Sequence, residues 1–198
     1  MLYELLDHPW VYRTVTAVTA PGFRTSISRL AADLVGRLSL QGPFLDIGCG
    51  PGSVLADLGI RPVGLDLSPR YAARFTASGA PAVVGSADQL PFASRTFGTV
   101  WTIGLLHHLG EAAARRAVDE MLRVCTPGGR VVVIDAVLPR SAWTRPYAYA
   151  IRKLDRGGHV REQAAHEGLL PPGQDWSIER ATCSSVGHEV VVCTCSPA

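Results

Sequence analysis

The stretch Phe44-Leu45-Asp46-Ile47-Gly48-Cys49-Gly50-Pro51-Gly52, followed by Val63-Gly64-Leu65-Asp66, decides the fold of this chain. An apolar run, a glycine turn, a helix start and a second apolar run ending in a carboxylate is how a doubly wound α/β sheet builds a nucleoside site. The turn must bring backbone close to a ligand and adopt angles that a β-carbon resists. Gly48 and Gly50 occupy those close-approach positions. A helix starting near Gly52 and Ser53 aims unpaired N–H groups into the same crevice. Asp66, which only accepts hydrogen bonds when ionised, suits the two hydroxyls of a ribose.

Spacing separates two kinds of nucleotide. A dinucleotide fingerprint runs G-x-G-x-x-G, whereas this chain has G-x-G-x-G preceded by Asp46. That pattern resembles motif I of the class I S-adenosylmethionine-dependent methyltransferases, and Val63 to Asp66 resembles their acidic second strand. Three later segments follow in the family's order. Val84 to Phe92 (V-G-S-A-D-Q-L-P-F) looks like the adenine loop after the third strand, and Phe97 to Leu109 looks like the fourth strand and its turn. Glu120 to Asp135 is similar to the helix, turn and fifth strand marked E-x-x-R-V-x-x-P-G-G. The resemblance covers residues 40–138, and the four motifs together are specific.

The resemblance implies a Rossmann-like α/β sheet of about seven strands, mostly parallel with an antiparallel C-terminal strand and helices on both faces. It implies S-adenosylmethionine as cofactor and S-adenosylhomocysteine as product. Cofactor contacts then fall to Asp46, Gly48, Cys49, Gly50, Asp66, Leu67, Ser86, Ala87, Asp88, Thr102 and Ile103. Two positions depart from the pattern. Ser86 stands where the adenine loop usually carries aspartate, with Asp88 close enough to take over. Gly98 stands where the fourth strand usually opens with aspartate, a change expected to cost a little stability.

The implied reaction is in-line displacement at a sulfonium methyl, which needs positioning more than a fixed catalytic residue. A base is required only where the acceptor is not already a nucleophile. His108 and His107 are the candidates, since they follow the fourth strand and imidazole titrates near neutrality. A structural role, capping or packing under the next helix, accounts for them as well. The motif set most resembles the branch that methylates quinone rings, sterols and natural products, so a small, fairly apolar acceptor is expected. Two alternatives stay open: a binding module or non-methylating enzyme on the same fold, and a nicotinamide-dependent oxidoreductase.

The 198 residues, 47% of them hydrophobic, suffice for a single domain with a substantial core. Its parts are an N-terminal helical cap (1–40), a cofactor-binding core (41–138), a substrate-side insertion (139–173) and a closing hairpin (174–198). Helices are expected over 2–20 and 24–38, and over 141–155 and 160–169 within the insertion. Strands are expected over Trp176–Ser184 and Glu189–Thr194. The insertion carries Trp143, Tyr147 and Tyr149, which line an apolar pocket or fill core, together with Arg152, Arg156, His159 and Arg161, which clamp an anion or lie on a solvated face.

A net charge of +2 without a lysine or arginine block gives no electrostatic footprint for nucleic acid, so no nucleic-acid partner is expected. No run reaches the roughly twenty apolar residues of a membrane span and no secretion signal is apparent, which predicts a cytoplasmic protein without a transmembrane segment. Five cysteines, an odd number, fit reduced thiols. Cys193 and Cys195 read as one face of a strand rather than as metal ligands, and no metal is expected.

Overall fold

The computed structural model describes residues 18–155 and 157–197. The helix expected over 2–20 therefore lies almost entirely outside the described residues. Seven strands form one sheet: β1 (Phe44–Ile47), β2 (Val63–Asp66), β3 (Ala82–Val84), β4 (Phe97–Ile103), β5 (Cys125–Val137), β6 (Ser177–Thr182) and β7 (Glu189–Cys195). Their order is β3-β2-β1-β4-β5-β7-β6. The first five are parallel, and β7 runs antiparallel to both neighbours, β5 and β6. This is the expected Rossmann-like sheet with its reversed C-terminal strand.

The apolar runs explain why both faces are covered. In β5 the continuous stretch Val131-Val132-Val133-Ile134 is buried throughout, as a parallel strand between two helical layers requires. Alternate residues serve different cores. Val131 and Val133 pack with Leu45, Ile47 and Val100 under Ala114, Ala117, Val118 and Met121 of α4 (Glu111–Val124). Val132 and Ile134 pack with Trp101, Val190 and Val192 under Ile27, Ala31 and Leu34 of α1 (Phe23–Arg37). The spacing of those three α1 residues by four and three is the apolar stripe of a helix lying on a sheet.

Local chemistry sets the element starts. Ser53 caps α2 (Val54–Asp57), its Oγ accepting from Leu55 N–H at 3.1 Å. Ser68 caps α3 (Pro69–Ala77), where Pro69 occupies the first turn at no cost in hydrogen bonds. Within the insertion, α5 (Pro146–Lys153) and α6 (Gln163–Glu167) are shorter than expected.

Gly98 corrects an expectation. A β-carbon there would lie 2.7 Å from the Gln41 carbonyl oxygen and 2.8 Å from that of Gly42. Residues 41–43 press onto the strand at this point: Gly98 N–H donates to Pro43 O at 2.9 Å and Thr99 Oγ1 donates to Gln41 O at 2.8 Å. Glycine is therefore what lets the chain enter β1 so close to β4.

The E-x-x-R and L-P-F motifs are two halves of one clamp. Glu120 accepts from Leu90 N–H at 2.7 Å, while Arg123 donates to the carbonyls of Phe92 (2.9 Å) and Leu90 (3.1 Å) and pairs with Glu120 at 2.6 Å. The last turns of α4 thus hold the loop that follows β3.

Candidate cofactor and acceptor site

The sheet order reverses between β1 and β4, and in such sheets ligands sit outside the carboxyl ends of the strands at that point. The glycine turn lies there. Gly48 and Gly50 both adopt left-handed backbone angles, with φ of 70° and 59°. A methyl at Gly48 would come within 3.0 Å of Leu105, whereas nothing lies within 4 Å of the β-carbon position of Gly50, which faces open space. Gly48 N–H and Cys49 N–H both donate to Leu65 O, at 2.7 and 3.1 Å, which ties the turn to β2.

Asp66 stands at the end of β2. Its Oδ2 accepts from Gly50 N–H at 2.9 Å and its Oδ1 from Ser68 N–H at 2.8 Å. A carboxylate accepts about four hydrogen bonds, so both oxygens keep capacity for a ribose diol. Leu67 is 73% exposed and Val84 50% exposed, so two apolar side chains flank this carboxylate without burying each other. An acceptor for hydroxyls beside apolar side chains and an open glycine turn fits the adenosine part of S-adenosylmethionine.

The other predicted cofactor residues divide by role. Asp46 is buried beneath the turn and accepts a short hydrogen bond from Ser53 Oγ. Burial, only partly offset by Ser53, pushes its carboxyl up to about 7. It organises the turn from below. Cys49 is buried against Gly64, and burial together with the fields of Asp46 and Asp66 pushes its thiol up to about 12. Thr102 Oγ1 donates to Ile47 O at 2.8 Å and ties the ends of β1 and β4 together, with Ile103 half-buried beside it. In the loop after β3, Ser86 Oγ donates to Asp88 Oδ1 at 2.5 Å and Arg116 donates to Asp88 Oδ2 at 2.8 Å. Those two partners hold the Asp88 carboxyl below its ordinary range, while Ala87 is buried between them in sequence.

His107 and His108 lie in a single 3-10 turn, Leu106–His108, directly after β4. Their ring centroids lie 4.2 Å apart with the planes tilted by 40°, and their surroundings differ. His107 is buried, its Nδ1 2.5 Å from Asp135 Oδ1 and its Nε2 3.5 Å from Asp155 Oδ1. His108 is exposed. Burial opposes the charged form of His107, yet Asp135, with help from Asp155, raises its pKa above the ordinary histidine value. Asp135 had no role assigned from sequence, and only the pairing of β5 with β4 brings it beside His107. Asp155 reaches the ring from the far side, after α5. Among the described residues no three His, Cys, Asp or Glu side chains gather to hold a metal ion.

The insertion's arginines mostly turn inward. Arg161 donates to Leu106 O (2.7 Å) and Leu109 O (2.6 Å), and Arg145 donates to Gly187 O (3.1 Å) and pairs with Glu189. Arg152, buried, donates to Glu189 O at 3.1 Å. The aromatic side chains do the reverse. Trp143 is 95% exposed, and Tyr147 is 46% exposed with its hydroxyl donating to Thr19 O at 3.2 Å.

A methyltransferase domain model matches residues 45–133. A relative in Synechocystis sp., "Uncharacterized methyltransferase sll0829", is 32% identical over 69% of this chain and 67% of its own length. The human "Probable tRNA methyltransferase 9B" is 34% identical over 86% of this chain but only 34% of its own length. "Demethylmenaquinone methyltransferase" of Renibacterium salmoninarum is 32% identical over 63% of this chain and 53% of its own. Among solved structures, a SAM-dependent methyltransferase from Thermotoga maritima superposes with a TM-score of 0.74 at 17% identity, covering 99% of this chain and 100% of that one. The fold, the turn and these relatives define the class: this chain belongs to the class I S-adenosylmethionine-dependent methyltransferase family. Its cofactor is S-adenosylmethionine. This chain spans about a third of the human relative's length and about half of the demethylmenaquinone enzyme's.

The human relative overturns the expectation that nucleic acid is excluded as a partner. Net charge over a whole chain reports the long-range field, not what one face presents, so a value of +2 does not exclude an RNA acceptor. No helix of the described residues is long and apolar enough to cross a membrane.

Proposed function

We propose that the domain transfers a methyl group from S-adenosylmethionine to a small, fairly apolar molecule bound beside the Leu106–His108 turn, on the side that the insertion covers. The observation that carries this reading is the inversion of the insertion's side chains. Arg145, Arg152 and Arg161 are spent on contacts within the fold, while Trp143, Tyr147 and Leu154 are exposed. The insertion's exposed side chains include Trp143, Tyr147 and Leu154 beside Arg140, Lys153, Glu162 and Glu167, and its aromatic members suit a compact hydrophobic acceptor.

The cofactor supplies a methyl group on sulfonium sulfur, and on transfer the electrons of the broken C–S bond stay on sulfur. The protein's own part is to hold the acceptor atom in line and to receive its proton where it carries one. His108 is our candidate for the second task, a reading supported by its exposure on the turn beside the buried His107 ring. His107, with both ring nitrogens directed at carboxylates, supports that turn.

The tRNA-directed name of the human relative favours an RNA acceptor as the second reading. One experiment decides between them. The protein is incubated with methyl-labelled S-adenosylmethionine and, separately, with a solvent-extractable metabolite fraction and with total tRNA. Label in extractable product, lost on adding a hundredfold excess of S-adenosylhomocysteine and reduced about a hundredfold by His108→Ala, is the expected result. Label in RNA alone overturns it.

A further inference from the structure

The Leu106–His108 turn and the insertion are joined more tightly than chain connectivity demands. His159 N–H donates to His107 O at 3.1 Å, Arg161 donates to Leu106 O and Leu109 O, and Leu138 N–H donates to Arg161 O at 2.9 Å. Gly157 is seated against His107, where a β-carbon would come within 2.3 Å of the His107 carbonyl oxygen. At the centre of this seam the His107 ring lies between the carboxylates of Asp135 and Asp155. We propose that Asp135 and His107 are positioning residues: the protonated ring bridges β5 to Asp155, and this holds residues 157–161 against the turn to shape the acceptor side of the site. The proposal rests on the reading of that side as the acceptor pocket.

The donor inventory carries the argument. Asp135 is 1% exposed, and among the described residues its Oδ2 has no hydrogen-bond partner and the imidazole is its one directly bonded counter-charge. A protonated ring has two N–H donors, one bonded to Asp135 and the other turned to Asp155 in an ion pair at 3.5 Å. A neutral ring has one, which stays with the nearer Asp135 and turns a lone pair toward Asp155. The charged groups that face the pair among the described residues belong to this count. Arg152 of α5 opposes protonation of His107 and lies 3.6 Å from Asp155, while Arg161 and His166 of α6 act on Asp135 from the insertion. His108 lies beside the ring on its own turn. The sum favours the charged ring, with its pKa above that of an ordinary histidine. A raised pKa in the folded state contributes stability that is complete below the unfolded value of 6.5 and is lost as pH rises through the folded value.

The test is amide hydrogen exchange at His159 and Leu138 in the full chain saturated with S-adenosylhomocysteine. It is run between about pH 6 and pH 9, corrected for base catalysis, with the His107 ring followed by NMR. Protection at both amides should fall severalfold as His107 loses its proton. In Asp135→Asn the ring should titrate lower than in the native chain and protection should be low across the range, while affinity for S-adenosylhomocysteine stays within about threefold. Asp155→Asn, whose side chain is 20% exposed and so easier to replace, should abolish the pH dependence while the Asp135 pair persists. Replacing the hydrogen-bonding carboxylate by Asp135→Glu should restore part of the pH dependence. A His107 ring that titrates like an ordinary histidine, or protection in the native protein that ignores pH, overturns the proposal. Label found only in RNA would overturn the acceptor reading and leave these exchange results standing.

Discussion

Asp46 carries the largest electrostatic cost among the motif residues, because its carboxylate is buried under the turn with Ser53 as its hydrogen-bonding side chain. With a folded pKa near 7 against 3.8 for the free side chain, the ionised form is penalised in the folded state. The sign follows: the penalty is absent below about pH 4, grows as pH rises, and is complete above about pH 7, amounting to about 4 kcal/mol from the size of the shift. In cofactor-free protein, Asp46→Asn should therefore gain thermal stability over the native chain as pH rises from 5 to 8, which differential scanning calorimetry at each pH would check. Gly98 calls for the opposite kind of test. Restoring the aspartate usual for the family should lower stability by about 1–3 kcal/mol, since the added atoms meet the carbonyls of Gln41 and Gly42. Urea denaturation of Gly98→Asp with an unchanged midpoint would refute the close-approach role. Both residues were visible in the sequence, but their environments were not, because burial and a neighbouring carbonyl come from chain segments that local pattern does not place.

At the scale of elements, the α4 clamp on the loop after β3 links two motifs that sequence shows as separate. Arg123→Ala removes the donors to Leu90 O and Phe92 O and leaves Glu120 with Leu90 N–H but without its ion-pair partner. A loss of about 2 kcal/mol is expected for charge-assisted bonds that are partly exposed. Faster exchange at the Leu90 amide should accompany it, and weaker cofactor affinity should follow if Ser86 and Asp88 shift with the loop. The exposed pair between Arg37 of α1 and Glu179 of β6 is a useful contrast: although it is bidentate at 2.8 and 3.0 Å, its removal should cost under about 1 kcal/mol. Strand and helix positions were legible from periodicity, and the β6–β7 hairpin falls within the range expected for it. The insertion helices came out shorter than expected: the first begins only at Pro146, and residues 160–161 are drawn to the His107 turn instead of opening the second.

For the whole molecule, cofactor binding and folding are one linked equilibrium. S-adenosylmethionine at a hundredfold its dissociation constant should add about 2.7 kcal/mol. For a chain of this size that raises Tm by roughly 5–11 °C. NAD at the same concentration should give no shift, and Asp66→Ala should abolish the shift with S-adenosylmethionine, as a thermal-shift titration would show. The sequence by itself determined the order of strands and helices, the glycine turn, the carboxylate that ends β2 and the family, because each is written in local spacing and in the period of apolar residues. Tertiary structure alone decided which histidine is buried, which arginines are spent inside the fold and which aromatic side chains face outward. Those outcomes depend on pairing β5 with β4 and on folding the insertion back over their ends, contacts between residues far apart in the chain for which no local pattern exists.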